Sequence, residues 1–185
     1  MEKLKAISSG PIILNLIDEN NLDIVKDMFR GFADTEYMLA EIDESYKPRY
    51  DESGIRIKFG FYVLFNNELA GLTSLGIGSW KNLRGYTGAD ILSHMRGREI
   101  APSSKPLLFH LAFDLLGLNR VETGCFVSNI SSKKSIEKTP GFRLEGILRE
   151  YTLGPGNKFE DEYRYAILKS DWLKIRENYD IRIIY

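Results

Sequence analysis

YTGADIL (86–92), SHMRGREIAP (93–102) and SSKPLLFHLAFDLLGLNRVETGCFVSN (103–129) form one continuous stretch, and its reading decides the fold. GYTGADIL is a short β-compatible run. Leu107, Leu108, Leu111, Ala112 and Leu115 then recur at helical spacing and put one apolar stripe on a core. Gly117 supplies the stop, and VETGCFV follows as a second strand. Such a strand, helix, strand unit is the connection that parallel pairing requires. Arg96-Gly97-Arg98 falls where the first strand hands the chain to the helix. Amides at a helix N-terminus are unpaired and the dipole there favours negative charge. A glycine loop with two arginines ahead of a helix is therefore a candidate receptor for a pyrophosphate.

Four segments in order, RGREIA, LLFHLAFDLLGLNRVE, SNISSKKSIEK and GFRLEGILRE, resemble the GNAT superfamily of acyl-CoA-dependent N-acetyltransferases. The similarity is greatest to the branch containing ribosomal-protein-alanine and -serine N-acetyltransferases, and it spans roughly residues 10 to 173. It implies an α/β (α+β) fold with a mixed, splayed central sheet of about six to seven strands flanked by helices, in one domain over residues 1–185. The implied activity is direct transfer of an acetyl group from acetyl-CoA to a primary amine, on a peptide or protein N-terminus or on a small molecule.

By position, the resemblance has Leu92, Ser93 and His94 line the pantetheine arm. Arg96, Gly97, Arg98, Ile100 and Ala101 surround the pyrophosphate, and Asn129 points at acetyl-CoA from the end of the fifth strand. Ser132 matches the serine of the family's N-x-x-S motif and is the candidate donor to the leaving thiolate; its plainer reading is a serine in a helix's first turn. The family's glutamate base falls near Thr152 here. Asp161, where the family often has an aspartate in its last strand, is the candidate carried forward, with Asp90, Glu122, Glu150 or a water chain as alternatives. No metal is expected.

Two departures from the family pattern leave a second reading open, a GNAT-fold binding module without transfer. The family loop is R-G-x-G-x-A, and its second glycine is Glu99 here. Pro102 and Pro106 both fall in the first two turns of a helix beginning near Ile100, where proline is tolerated only in the opening turn. With Ser103 as cap, Pro106 becomes acceptable, but the positive helix end moves about a turn from Gly97.

Composition sets the frame. Of 185 residues, 43% are apolar and 28% charged, enough for a substantial core, and the net charge of -1 argues against extensive nucleic-acid binding. The single cysteine, Cys125, excludes an intrachain disulfide and suits a reducing cytoplasm, and neither histidine lies near it in sequence. MEKLKAISSG lacks the apolar centre of a signal peptide, and no apolar run is long enough to span a membrane.

PIILNLI (11–17) reads as a first strand, with Asn20 or Asn21 capping a helix whose face is Leu22, Val25, Met28 and Phe29. A second helix is expected from Asp34 to Ile42. The carboxylate-rich EIDESYKPRYDESG (41–54) reads as a polar loop or frayed helix bordering the acceptor site, able to attract a cationic amine. FGFYVLF and ELAGLTSLGIG flank Asn66-Asn67, a tight hairpin signal. Trp80 and Arg84 are expected to be exposed, at the surface or in a groove. Ser131 to Lys138 is a short helix, and FRLEGILREYTL and KFEDEYRYAIL are strands joined by GPGN (154–157). The final IRIIY is strand-like and can add to a sheet edge, in its own chain or in a partner's, which leaves a homodimer open.

Overall fold

The computed structural model describes residues 4–154 and 157–185. The chain opens as a hairpin, β1 (Ala6–Ser9) and β2 (Ile12–Leu16), turning at Gly10 with φ 53°. Helices α1 (Leu22–Met28) and α2 (Thr35–Glu41) follow, and α2 runs on as one π-helical turn over Ile42–Tyr46. A short β3 (Arg49–Tyr50) leads into the meander β4 (Arg56–Phe65), β5 (Glu68–Ser79) and β6 (Arg84–Ile91). The crossover helix α3 (Ile100–Phe109) continues as a π-helical segment over His110–Leu115, then β7 (Arg120–Phe126). Helix α4 (Ile130–Lys138), β8 (Arg143–Leu153), β9 (Phe159–Leu168), α5 (Lys169–Ile175) and β10 (Arg182–Ile184) complete the chain.

The strands form one sheet in the order β10-β1-β2-β4-β5-β6-β7-β9-β8, with β3 on β4. Ten strands among the described residues exceed the six to seven expected: β1 and β3 are too short to show a period, and IRIIY joins the same sheet as β10. The IRIIY segment adds to the sheet edge of its own chain, Ala6 opposite Ile184. Asn66 and Asn67 take φ 51° and 66°, the left-handed pair of a two-residue hairpin. Asn21 does not cap α1 with its side chain; its Oδ1 accepts from Asp18 N at 2.9 Å instead. Trp80 is half-buried against the core rather than at the surface. Pro155 and Gly156 of the expected GPGN turn lie outside the described residues.

Helix α3 packs on one face of the sheet. Phe109 meets Phe142 and Trp172 edge-on at 5.2 and 5.9 Å, and all three lie in a core that includes Leu75, Leu108, Leu118 and Val121. Trp172 Nε1 donates to Asp114 Oδ2 at 2.8 Å, which anchors α5 to the end of the crossover. Helix α3 starts at Ile100, not at Ser103, and Ser103 N donates to Glu99 O at 3.0 Å. Pro102 therefore lies in the opening turn, where no N–H is needed, and Pro106 forgoes one internal bond. The positive helix end thus stays beside Gly97. No helix among the described residues is long and apolar enough to cross a membrane.

Candidate active site

The central feature is a fork. β6 and β7 pair in parallel only from Arg84 with Arg120 to Tyr86 with Glu122, yet β6 runs on to Ile91 and β7 to Phe126. Thr123 Oγ1 donates to Thr87 O at 3.0 Å, the cross-link at the crotch. Leu92 N donates to Ala70 O at 2.9 Å on the β5 side. Strand alternation then turns the peptide groups of Ala89 and Ile91 to the other side, into the gap. Sequence reasoning named Leu92, Ser93 and His94 here and passed over Ala89 and Ile91, which the two-residue period of GYTGADIL could have supplied. Leu92 is buried in the core. Ser93 N donates to Asp34 Oδ2 at 2.6 Å, and the His94 ring stacks on Phe32 at 5.3 Å, so both are tied to the segment between α1 and α2.

At the open end of the fork the loop holds Arg96, Gly97 and Arg98 exposed at the start of α3, with Ile100 buried and Ala101 half-buried beneath. Gly97 has φ 81° and Glu99 φ 58°, so the position that the family pattern gives to a second glycine is left-handed here too. A Cβ on Gly88 or Gly97 would meet nothing within 4 Å, which leaves room along the strand and over the loop. The Glu99 carboxylate does not fill that room. It turns to Lys138 on α4, 2.5 Å away. Arg96 Nε donates to Ile91 O at 3.1 Å.

Helix α4 starts directly after β7. Asn129 caps it, its Oδ1 accepting from Ser132 N at 3.0 Å, so the asparagine oxygen is committed to the helix. Ser132 lies against Cys125 on β7: burial pushes the Cys125 thiol up, and the Ser132 hydroxyl acts in the opposite direction.

The sheet's other face carries the second half of the site. Register puts Lys58, Gly76 and Tyr86 in one row, Gly60, Ser74 and Gly88 in the next, and Tyr62, Leu72 and Asp90 in a third. The π-helical turn after α2 lies over this face. It is no polar loop: Ile42 and Tyr46 are buried in it. The Tyr46 and Tyr37 hydroxyls donate to Asp90 at 2.5 and 2.7 Å. Burial pushes both phenols well above their usual range, with the Asp90 carboxylate adding to the effect. Burial also raises Glu41, helped by the charges of Asp90 and Glu44. Lys58 is only 7% exposed, and its ammonium lies 4.8 Å over the Tyr86 ring. Burial first and the Arg49 charge second push it down to about 8. None of Tyr37, Tyr46 or Lys58 was singled out from sequence. Beyond Tyr86 the face continues as a cleft of about 350 Å³ lined by Arg84, Tyr86, Glu122, Leu148, Tyr151 and Arg164.

From beneath, Lys105 of α3 reaches the crotch of the fork. Its Nζ donates to Gly88 O at 2.9 Å, Thr87 Oγ1 at 3.0 Å and Thr73 Oγ1 at 3.4 Å, and burial pushes it down to about 7.

The candidate bases separate into two groups. Asp90 and Glu122 stand on the face just described, with Glu122 held by Arg120 at 2.7 Å. Asp161 Oδ1 accepts from Glu150 N at 2.8 Å, at a bulge of β8 where Glu150 takes φ 48°. That turns the Asp161 carboxylate toward β8, away from the fork. Thr152 Oγ1 bonds Glu162 at 3.2 Å in the same outer strands.

No family model matches the sequence, and no curated protein matches it. Solved structures do. A Vibrio cholerae–hSSAT chimera of spermidine N-acetyltransferase SpeG is 18% identical with TM-score 0.65, covering 89% of this chain and 99% of that one. A candidate acetyltransferase from T. thermophilus is 20% identical with TM-score 0.67 over 94% of each chain. The microcin C7 self-immunity acetyltransferase MccE, in complex with acetyl-CoA and AMP, is 15% identical with TM-score 0.62, over 85% of this chain and 92% of that one. The chain has the GNAT fold. In GNAT terms the fork, the Arg96–Arg98 loop and the start of α3 form a continuous path, while the face under α2 is separated from α3 by the sheet.

Proposed function

We propose that the protein is an N-acetyltransferase that moves an acetyl group from acetyl-CoA to a primary amine, on a small molecule or a peptide N-terminus. The observation that carries this reading is the fork whose free peptide edge leads straight to a left-handed glycine loop and a helix N-terminus. The first suits an amide-bearing arm; the second suits a pyrophosphate. Glutamate in place of the second glycine does not oppose this, since its backbone adopts the required left-handed turn and its carboxylate is neutralised by Lys138.

The Ala89 and Ile91 amides are placed to orient the thioester and polarise its carbonyl. The acceptor approaches from the α2 face, where Asp90, aligned by Tyr37 and Tyr46, takes the amine's proton directly or through a water. The amine's lone pair forms the new C–N bond, the C–S bond breaks, and Ser132 supplies a proton to the departing thiolate. Asp161 is better explained as the buttress of the β8 bulge. A thiol-release assay with acetyl-CoA over a panel of amines tests the reading. Amine-dependent release that falls in Ser132→Ala and Asp90→Asn supports it; no release with any amine counts against it.

A further inference from the structure

We propose that the acceptor is a small molecule carrying an acidic group beside its amine, and that Lys58 receives that group over the Tyr86 ring. This rests on the transferase reading and narrows its substrate. Gly76 stands between Lys58 and Tyr86 in the sheet, and the Tyr86 ring fills the place of the missing side chain: a Cβ there would be 2.2 Å from Tyr86 Cζ. The ring forms a flat floor beneath a lysine whose stem is enclosed and whose ammonium tip is open to solvent.

Lys58 differs from the other buried lysine. Lys105 has three oxygen acceptors within 3.4 Å. The Lys58 ammonium has no hydrogen bond or ion pair among the described residues, although the residue is 7% exposed. Its Nζ is not among the buried polar atoms left without a partner, which are Asn15 Nδ2 and Trp80 Nε1 among the described residues, so the stem is enclosed while the ammonium tip is open to solvent. An ammonium held over a ring, unpaired and within reach of a ligand, suits an anion. Glu41 attracts the ammonium without pairing with it, and Arg49 adds positive charge to the same corner.

The order of groups along this face says where the anion belongs. Lys58 is in the first row, the open Gly88 in the second, and Asp90 with its two phenols in the third. Successive rows are about 7 Å apart. An acceptor whose amine meets the fork at Gly88 therefore has a carboxylate on one side and an ammonium on the other. A polyamine would place a second cation against Lys58 and Arg49, whereas a carboxylate or phosphate would complete the lysine's shell.

The probes are β-alanine against β-alaninamide, 2-aminoethyl phosphate against ethanolamine, and spermidine. Each is titrated calorimetrically into the protein, alone and saturated with desulfo-coenzyme A. We expect each acidic probe to bind roughly 10- to 100-fold more tightly than its counterpart lacking the acid, the range of a charged hydrogen bond. Lys58→Met and Lys58→Gln should erase that difference while desulfo-coenzyme A affinity and Tm hold. The two acid pairs distinguish carboxylate from phosphate. Tightest binding of spermidine, equal binding of the acidic and acid-free forms, no binding of any probe, or a preference that survives in both variants would overturn the proposal. Failure of desulfo-coenzyme A to bind would count against the transferase reading alone, because the comparison of probes on the unliganded protein still decides the role of Lys58.

Discussion

The Glu99 carboxylate lies 2.5 Å from Lys138 Nζ, bridging the first residue before α3 to the last residue of α4. Both side chains are more than half exposed, so the ion pair contributes little by itself. Its importance is directional: it takes a negative charge out of the anion loop. The backbone beneath it is left-handed at φ 58°, which costs a non-glycine residue about 1–2 kcal/mol.

Glu99→Gly should therefore bind acetyl-CoA as well as the parent or somewhat better, and be as stable as the parent or slightly more so. Glu99→Ala, which loses the ion pair yet keeps the strain, should be the less stable of the two variants. Thermal melts and calorimetric titration of the three proteins check this ordering.

The helix α3 lysine gives a pH signature. Lys105 is held down to about 7 by burial, against a value near 10.4 in an unfolded chain. Between those limits the unfolded chain binds more protons than the folded one, so this group's contribution to stability rises with pH from about 7 to 10 and is lost as pH falls toward 7. Lys105→Met removes that dependence. Its stability relative to the parent should decline as pH is raised over this window, measured by urea unfolding at several pH values. A difference independent of pH would show that the lysine is not buried as described.

Two glycines under the acceptor face should respond differently to alanine. At Gly60 the new Cβ would lie 1.8 Å from Tyr46 O, a backbone atom, so the turn that aims Tyr46 at Asp90 must move. We expect a loss of about 1–3 kcal/mol by chemical denaturation. At Gly76 the obstacle is the Tyr86 ring, which is 43% exposed and can swing away. Gly76→Ala should keep its stability better and instead lose the floor beneath Lys58, visible as weaker acceptor binding with acetyl-CoA binding intact.

Tyr46→Phe and Asp90→Asn should lower kcat with little effect on acetyl-CoA affinity. Losses of about 100-fold or more are expected for Asp90→Asn if it is the general base. An equal fall in acetyl-CoA affinity would mean that Asp90 holds β6 in place and moves no proton.

The crossover unit was legible because its parts have clean periods: Leu107, Leu108, Leu111 and Ala112 recur at helical spacing and are all buried. Asn66-Asn67 was legible as local turn chemistry. Sequence rules left the helix start open between Ile100 and Ser103 because they penalise two prolines; the start at Ile100 puts Pro102 in the tolerant first turn, and the long helix absorbs one missing bond at Pro106. Strands of two to four residues, such as β1 and β3, are too short to announce themselves and exist through pairing, β1 with β2 and β10 and β3 with β4. The acceptor face was illegible for the same reason. Tyr37 and Tyr46 reach Asp90 across 53 and 44 residues, and Lys58 meets Tyr86 only once the meander's register is set. The resemblance placed Asp161 in the last long strand correctly, but its side-chain direction depends on a bulge in β8 that no sequence period announces.

Titration of the protein with acetyl-CoA, with desulfo-coenzyme A and free phosphate as controls, tests the central claim most directly. The expected result is micromolar binding, about -8 kcal/mol, shared by desulfo-coenzyme A and not by phosphate. No binding up to about millimolar, roughly -4 kcal/mol, would contradict the acetyltransferase reading and leave a GNAT-fold binding module in its place.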